Sequence, residues 1–264
     1  MPIAQVNGTE IYYIDEGSGV PLFFIHGIGG NYQMFDPQID YFRTAHRVIA
    51  VDLRGNGRSG RLTGPLSSIL DQQCDDIVKL MEFLVVEQAV FCGTSYGGML
   101  CLHFALRHPN QVIGLVISDG FSDTQLQGIL DGMIYSINLL TFWTSYLPRT
   151  WIIPLLSLRY RRWPIAKRYA LEVARHLRKH ELVLQRLLLL KIDFTRFLSF
   201  VQCPVLGIVG DDFSVSIRRM RRAMKAIPRA RLEIVKDSFD PTNLCQVDHY
   251  NRLVQDFLSD LKWN

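Results

Sequence analysis

The chain has 264 residues, of which 48% are hydrophobic and 20% are charged, a composition that suits one large globular domain and argues against disorder. Its formal charge of +4 comes without a nucleic-acid-binding motif, so we expect no nucleic-acid partner. Five scattered cysteines argue against a disulfide framework and against a metal site, and they favour a cytoplasmic location.

The first residues lack a basic segment followed by an apolar one, so we expect no signal peptide.

Strand and helix patterns alternate along the chain. The strand patterns are residues 3–6, 10–14, 21–25, 47–53, 89–92, 112–118, 204–209 and 231–236, and the helix patterns include residues 69–86, 99–106, 217–227 and 250–261. This alternation predicts an α/β protein with a mostly parallel central sheet and helices on both of its faces.

Ser95 stands at the corner between a predicted strand and a predicted helix. The apolar residues 89–92 lead into Gly-Thr-Ser-Tyr-Gly at residues 93–97, and a helix pattern follows directly. The two glycines leave room for a sharp, strained turn, and the backbone N–H of Tyr96 lies where an oxyanion would form. The pattern therefore predicts a nucleophile elbow.

Residues 121–200 interrupt the alternation. They contain helix-like patterns and three prolines, so we predict a helical cap inserted into a core of residues 1–120 and 201–264. The aromatic first half of this segment either walls an apolar pocket above Ser95 or packs on the core. Its apolar residues are Ile134, Leu139, Leu140, Phe142, Trp143, Tyr146 and Trp151. The longest uncharged run, residues 132–148, is too short and too polar to predict a membrane span.

The cap segment is strongly basic. Residues 149–196 contain twelve Lys and Arg residues and three acidic ones, which gives a local charge of +9. A solvated helix face, an anionic substrate and a weak contact with an anionic membrane surface are the three interpretations of this charge.

Four segments together resemble the α/β-hydrolase superfamily. They are His26-Gly27, the DLRGNGRS stretch at residues 52–59, the GTSYGG elbow and the PVLGIVGDD stretch at residues 204–212. Residues 121–124, 141–143 and 243–245 are also similar to maspardin and its relatives.

The superfamily resemblance implies an α/β-hydrolase fold with an inserted helical cap. It further implies Ser95 as the nucleophile and an oxyanion hole formed by the backbone N–H groups of Ile28 and Tyr96. His26 would then shape the loop after its strand rather than take part in the chemistry.

Residues 55–60 also match the glycine pattern of a dinucleotide-binding loop, with Asp75 and Asp76 about 20 residues further on. Turn-forming residues at positions 63–65 stand where the phosphate-binding helix should begin. We therefore expect no cofactor.

A serine triad requires a carboxylate that orients its histidine and stabilises the protonated ring. The spacing of the superfamily selects Asp212, although this loop is one residue shorter than usual. Asp211 and Asp119 are the alternatives, and Asp119 directly follows the strand pattern at residues 112–118.

The histidine of the triad is missing from its expected position, which Asp240 occupies. A carboxylate with an ordinary pKa of about 4 is a weak base at neutral pH unless burial raises that pKa strongly. His249 is the best-placed substitute, because it opens the final helix pattern. The competing interpretation is a surface histidine in a first helical turn.

Two functions are consistent with these residues. The first is a serine hydrolase of small or medium apolar carboxylic esters, in which Ser95 attacks, Ile28 and Tyr96 bind the oxyanion, and Asp212 orients His249 as the base. The alternative is a catalytically weak or inactive relative that binds a small ligand or a protein partner, because Asp240 replaces the histidine.

Overall fold

A computed structural model of the chain describes residues 2–124, 148–190 and 192–261. Within these residues the strands form one eight-stranded sheet in the order β1-β2-β4-β3-β5-β6-β7-β8. The strands are β1 (Ile3–Val6), β2 (Thr9–Glu16), β3 (Pro21–Ile25), β4 (Arg47–Val51), β5 (Ala89–Thr94), β6 (Val112–Ser118), β7 (Val205–Gly210) and β8 (Ala230–Val235).

The sheet is antiparallel at one edge and parallel elsewhere. β2 pairs antiparallel with β1 and β4, and the other neighbouring strands pair in parallel. Asn7 and Gly8 both have positive φ, at 47° and 69°, as the tight turn between β1 and β2 requires. The predicted mostly parallel sheet is confirmed.

Helices cover both faces of the sheet. The described helices are α1 (Asp36–Phe42), α2 (Ile69–Phe83), α3 (Tyr96–Arg107), α4 (Arg149–Arg159), α5 (Pro164–His176), α6 (Lys179–Leu189), α7 (Ser214–Ala226), α8 (Thr242–Cys245) and α9 (Val247–Asp260). One buried apolar cluster packs α2, α3 and α7 on one face, and a second packs α1 and α9 on the other. The continuous apolar strands are buried because both of their faces are covered.

The helices α4, α5 and α6 lie between β6 and β7 in the chain, where the sequence predicts a cap. We call these three helices and the residues that connect them the cap. The division into a core of residues 1–120 and 201–264 and a cap of residues 121–200 stays a prediction. Of the aromatic first half of this segment, residues 134–146 lie outside the described residues. No helix in the described part of the chain has the length and apolar character to span a bilayer.

The carboxyl ends of the parallel strands meet at one edge of the sheet and position the candidate site. The ladder continues one residue beyond the strands, because the Ser95 N–H donates to the Ser118 carbonyl at 2.7 Å and the Asp119 N–H donates to the Ile208 carbonyl at 2.8 Å. These bonds place the residues after β5 and β6 side by side.

A buried ion pair joins the loop after β4 to α2. Arg54 binds both carboxylate oxygens of Asp76, at 2.8 and 2.6 Å, and both side chains are about 5% exposed or less. Asn7 adds a hydrogen bond of 2.8 Å to the same carboxylate. Asp76, one of the two acids at dinucleotide-binding spacing, is therefore engaged in holding the protein together.

Replacing Asp76 with Asn should destabilise the protein by about 3–5 kcal/mol, because the buried Arg54 charge then has no anionic partner. Asp75→Asn is the matched control: Asp75 is half-exposed in its ion pair with Arg107, so its loss should cost about 1 kcal/mol or less. Urea unfolding of both variants measures the difference. Equal small losses would contradict a structural role for the buried pair.

Candidate active site

Ser95 occupies a strained corner between β5 and α3. Its φ of 56° and ψ of −114° are rare for a residue with a side chain. A Cβ at Gly97 would collide with the Ile25 carbonyl oxygen, and one at Gly93 would lie 2.7 Å from the Cys101 sulfur. Only glycine therefore fits on either side of the serine, and the strain presents the Ser95 side chain to the cavity above the sheet edge.

The loop after β3 passes close to Ser95. A Cβ at Gly27 would lie 3.5 Å from the Ser95 Cβ, and Gly27 and Ile28 line the same cavity as Ser95. Tyr96 is the first residue of α3, so its backbone N–H belongs to the positive end of that helix. Ile28 therefore lines the same cavity as Ser95, and Tyr96 directly follows Ser95 in the chain, so the oxyanion hole formed by their N–H groups stays a prediction. We call residues 27–31 the oxyanion loop.

His26 shapes the start of the oxyanion loop. Its Nε2 accepts the Leu53 N–H at 3.0 Å, so its Nδ1 carries the proton and donates to the Gly27 carbonyl at 2.7 Å. Burial lowers the pKa of His26, which favours the neutral ring that these two bonds require. This placement agrees with the loop-shaping role implied by the resemblance.

Asp119 is a buried carboxylate with several hydrogen-bond donors. Its oxygens accept the Thr242 N–H at 2.7 Å, the Thr242 hydroxyl at 2.9 Å, the Gly210 N–H at 3.2 Å and the Ser118 hydroxyl at 3.2 Å. Burial raises the pKa of Asp119, and these donors oppose the rise because they stabilise the ionised form. Asp119 thus ties β6 and β7 to the turn after β8.

Asp240 lies on that turn and faces Ser95 across the cavity floor. Burial is the main reason that its pKa is raised to about 8; the nearby Asp119 charge raises it further, whereas hydrogen bonding to Ser95 lowers it. Asp240 as a residue is half-buried, and it lines the cavity. Asp240 therefore satisfies the condition under which a carboxylate becomes a useful base near neutral pH.

The structure does not bring Asp212 or His249 to Ser95. Asp212 is exposed on the loop after β7, where its carboxylate pairs with Arg159 at 2.9 Å and with Arg162 at 3.9 Å. His249 is exposed on α9 and lines a separate surface cavity with Arg252, because the short helix α8 separates α9 from the Asp240 turn.

The remaining acidic candidates are placed differently from one another. Asp211 is exposed, and its carboxylate accepts the Ser238 N–H at 3.4 Å. Asp119, in contrast, is buried beside Asp240. The site therefore brings together Ser95, Asp240 and Asp119.

An apolar cavity of about 570 Å³ stands above Ser95. Helices α4, α5 and α6 supply most of its wall, which includes Trp151, Ile152, Leu155, Leu156, Val173 and Leu182. Trp151 is the residue of the predicted aromatic segment that falls within the described part of the chain, and it lines this pocket. The volume suits a small or medium ligand.

Two cap helices hold the oxyanion loop. The Tyr169 hydroxyl accepts the Asn31 N–H at 3.2 Å and donates to the Asn31 carbonyl at 3.4 Å. The buried Gln185 side chain accepts the Gly29 N–H at 3.4 Å. The position of the loop that carries Ile28, one of the two predicted oxyanion donors, therefore depends on α5 and α6 as well as on the core.

The cap also holds the turn that carries Asp240. The Tyr160 hydroxyl donates to the Asp240 carbonyl at 2.8 Å, and the Trp163 indole N–H donates to the Asp237 carbonyl at 2.9 Å. Arg162 forms an ion pair with the Asp237 carboxylate. Sequence reasoning missed these residues and Thr242, because no local pattern indicates which distant turn a cap side chain contacts.

Comparison with known proteins gives consistent results. A family model described as alpha/beta hydrolase fold matches residues 20–147. "Putative carbamate hydrolase RutD" from Caulobacter sp. (strain K31) is 30% identical over 243 residues, which cover 88% of each protein. The protein of the same name from Azorhizobium caulinodans is 34% identical over 122 residues, so that this chain spans about half (45%) of its length.

A solved structure supports the same fold. The crystal structure of the enol-lactonase from Burkholderia xenovorans LB400 superimposes with a TM-score of 0.82 at 23% identity, and the match covers 98% of this chain and 100% of that one. By name, the compared proteins are two carbamate hydrolases and one enol-lactonase.

Asp240 should make the stability of the protein depend on pH. Its pKa in the folded state is about 8, above the ordinary value of about 4 in the unfolded chain, so its contribution is fully present below pH 4 and is lost as the pH rises through 8. Asp240→Asn should remove this loss, and the variant should gain stability relative to wild type as the pH rises. Urea unfolding between pH 5 and pH 9 measures the effect.

Asp212→Asn is the control for this experiment, because Asp212 is an exposed carboxylate on a neighbouring loop. Its stability profile should run parallel to that of wild type. A parallel profile for Asp240→Asn as well would contradict the raised pKa.

Proposed function

The chain belongs to the α/β-hydrolase superfamily, and on that premise we propose that it is a serine hydrolase of small or medium apolar carboxylic esters, with Ser95 as the nucleophile. One observation carries the proposal: the hydroxyl on the strained elbow contacts a carboxyl group whose pKa is raised toward neutrality, at the floor of an apolar cavity. Asp240 takes the place of the Asp212–His249 pair that the sequence suggests.

The reaction begins when ionised Asp240 accepts the Ser95 proton while the serine oxygen attacks the ester carbonyl carbon. The backbone N–H groups of Ile28 and Tyr96 bind the negative carbonyl oxygen. Collapse of the tetrahedral intermediate breaks the ester bond, and Asp240 returns the proton to the departing alcohol. Water then attacks the acyl carbon on Ser95 while Asp240 accepts a proton from it; the bond between the acyl carbon and the Ser95 oxygen breaks, the carboxylic acid leaves, and Asp240 returns the proton to the Ser95 oxygen.

Asp119 makes Asp240 a stronger base than an ordinary carboxylate. Its charge disfavours ionisation of Asp240, so Asp240 holds a proton more tightly once it has accepted one. Its hydrogen bonds to Thr242 fix the turn that presents Asp240 to Ser95. We assign Asp119 a positioning and electrostatic role in place of the acid that orients a histidine.

A second function, a catalytically weak relative that binds a ligand or a protein, is favoured by a different observation. The described histidines that lie nearest in sequence to the elbow and to Asp240, namely His103 and His249, both contact other regions: His103 binds Asp71 at 2.9 Å and His249 lines a separate cavity. The similarity to maspardin, a weak contact of the basic cap with anionic membranes and a cytoplasmic location stay predictions.

A fluorophosphonate probe separates the two functions. An activated serine should be labelled stoichiometrically, and Ser95→Ala should lose the label while keeping the wild-type unfolding curve. Mass spectrometry of the intact protein measures the labelling. Folded wild-type protein that takes up no label would reject the hydrolase proposal.

Ester hydrolysis should depend on the ionisation of Asp240. For 4-nitrophenyl butyrate, kcat/KM should rise as the pH approaches about 8 and then level off. Asp240→Asn should lower kcat/KM by about 10²- to 10⁴-fold. Asp240→His should move the rise to about pH 6.5, the ordinary pKa of imidazole.

His249→Ala serves as the test of the sequence-based assignment, and its kcat/KM should stay within about threefold of wild type because a surface histidine contributes little. Loss of activity in this variant, with an unchanged profile in Asp240→Asn, would restore His249 as the base.

Tyr169→Phe should lower kcat about tenfold and leave KM within threefold. The Tyr169 hydroxyl holds the oxyanion loop, and this loop stabilises a negative charge that develops only in the transition state. Tyr41→Phe, on the exposed face of α1, is the matched control. A rise in KM alone would show that Tyr169 only lines the pocket.

A further inference from the structure

Arg186 is a cation in the wall of the otherwise largely apolar cavity. It lies on α6 four residues after Leu182, and both side chains line the cavity, as expected for neighbours on one helix face. Burial lowers the pKa of Arg186, which reflects the cost of removing a guanidinium from water. A few charged groups in an apolar pocket commonly fix the orientation of its ligand.

The charges of the cavity are separated. Asp240 and the neighbouring Asp119 are at the floor, at the edge of the sheet, whereas Arg186 is on a cap helix. An anionic group on a ligand is repelled by the charge of Asp119 near the floor, and by Asp240 once it is ionised, whereas the guanidinium of Arg186 attracts it. This arrangement orients a ligand that carries one negative charge. Its uncharged end is favoured at Ser95 and its charged end at Arg186.

The surrounding cap strengthens the same preference. The local charge of +9 over residues 149–196 raises the concentration of anions near the cavity, whatever their structure. Arg186 adds specificity to this general attraction, because a guanidinium has five N–H donors and binds a carboxylate through two of them beside its other contacts.

We propose that the cavity takes esters with an apolar acyl chain that ends in a carboxylate, and that Arg186 binds this carboxylate while Ser95 attacks the ester carbonyl. The inference rests on the proposed function and narrows its substrate class. It assigns the basic character of the cap to an anionic substrate rather than to a membrane.

Two matched series of substrates test the proposal. The first contains the mono-4-nitrophenyl esters of pentanedioic, hexanedioic, heptanedioic and octanedioic acids, and the second contains the 4-nitrophenyl esters of the monocarboxylic acids of equal length. Wild-type protein should prefer the carboxylate series by about 10- to 100-fold in kcat/KM, the range expected of hydrogen bonds to a charged group. The chain length with the largest preference measures the distance between the two sites.

The variants assign this preference to Arg186. Arg186→Leu should remove it and leave the monocarboxylic esters within about threefold, whereas Arg186→Lys should retain part of it as a point charge. Arg175→Leu is the matched control, because Arg175 is an exposed cap arginine paired with Glu172. Its substitution removes the same net charge as Arg186→Leu. Equal losses on both series in Arg186→Leu, or an equal loss of preference in Arg175→Leu, would overturn the proposal.

A different result would show that the hydrolase proposal, rather than the role of Arg186, is wrong. If no ester of either series is hydrolysed in a Ser95-dependent manner, the proposed activity is wrong, and calorimetry with hexanedioate and hexanoate decides the role of Arg186. Binding of hexanedioate that is lost in Arg186→Leu would support the anion site in a ligand-binding protein. Absence of hexanedioate binding to wild-type protein would reject it.

Discussion

The candidate site depends on one buried carboxylate, Asp119, and on the hydrogen bonds that surround it. Its oxygens bind the backbone and the hydroxyl of Thr242, so the turn that contains Asp240 is fixed to the ends of β6 and β7. A buried charge requires such donors, because an ionised carboxylate without them is costly in an apolar interior. The same charge raises the pKa of Asp240. Asp119 therefore contributes both to the position of Asp240 and to its raised pKa.

The replacement of histidine by aspartate changes what the rest of the site must supply. An imidazole has a pKa near neutrality without assistance, whereas a carboxyl group reaches it only through burial and a neighbouring negative charge. Asp119 provides that charge, and the apolar cap covers the site. A pair of carboxyl groups also lacks the N–H with which a histidine is oriented by its acid. Asp240 is oriented instead by the Thr242 turn and by the hydrogen bond from Tyr160. In the proposed mechanism, two carboxylates therefore substitute for one imidazole and its partner.

The cap joins the two halves of the candidate site. Tyr169 and Gln185 hold the oxyanion loop, and Tyr160 and Trp163 hold the turn that carries Asp240. Movement of these helices would displace both the predicted oxyanion donor Ile28 and the predicted base Asp240. The cap consequently does more than cover the cavity: it supplies the apolar wall, the cation Arg186 and the hydrogen bonds on which the geometry of the floor depends.

Local patterns in the sequence were sufficient for the strands, the main helices and the corner at Ser95, because apolar runs and paired glycines constrain the backbone within a few residues. They also predicted that Asp240 stands where the superfamily has its histidine. The tertiary structure alone decided which carboxylate lies beside Asp240: Asp119 binds a turn 123 residues away, whereas Asp212 faces Arg159. It also decided the raised pKa and the cap contacts, because burial and neighbouring charge arise only when distant segments meet.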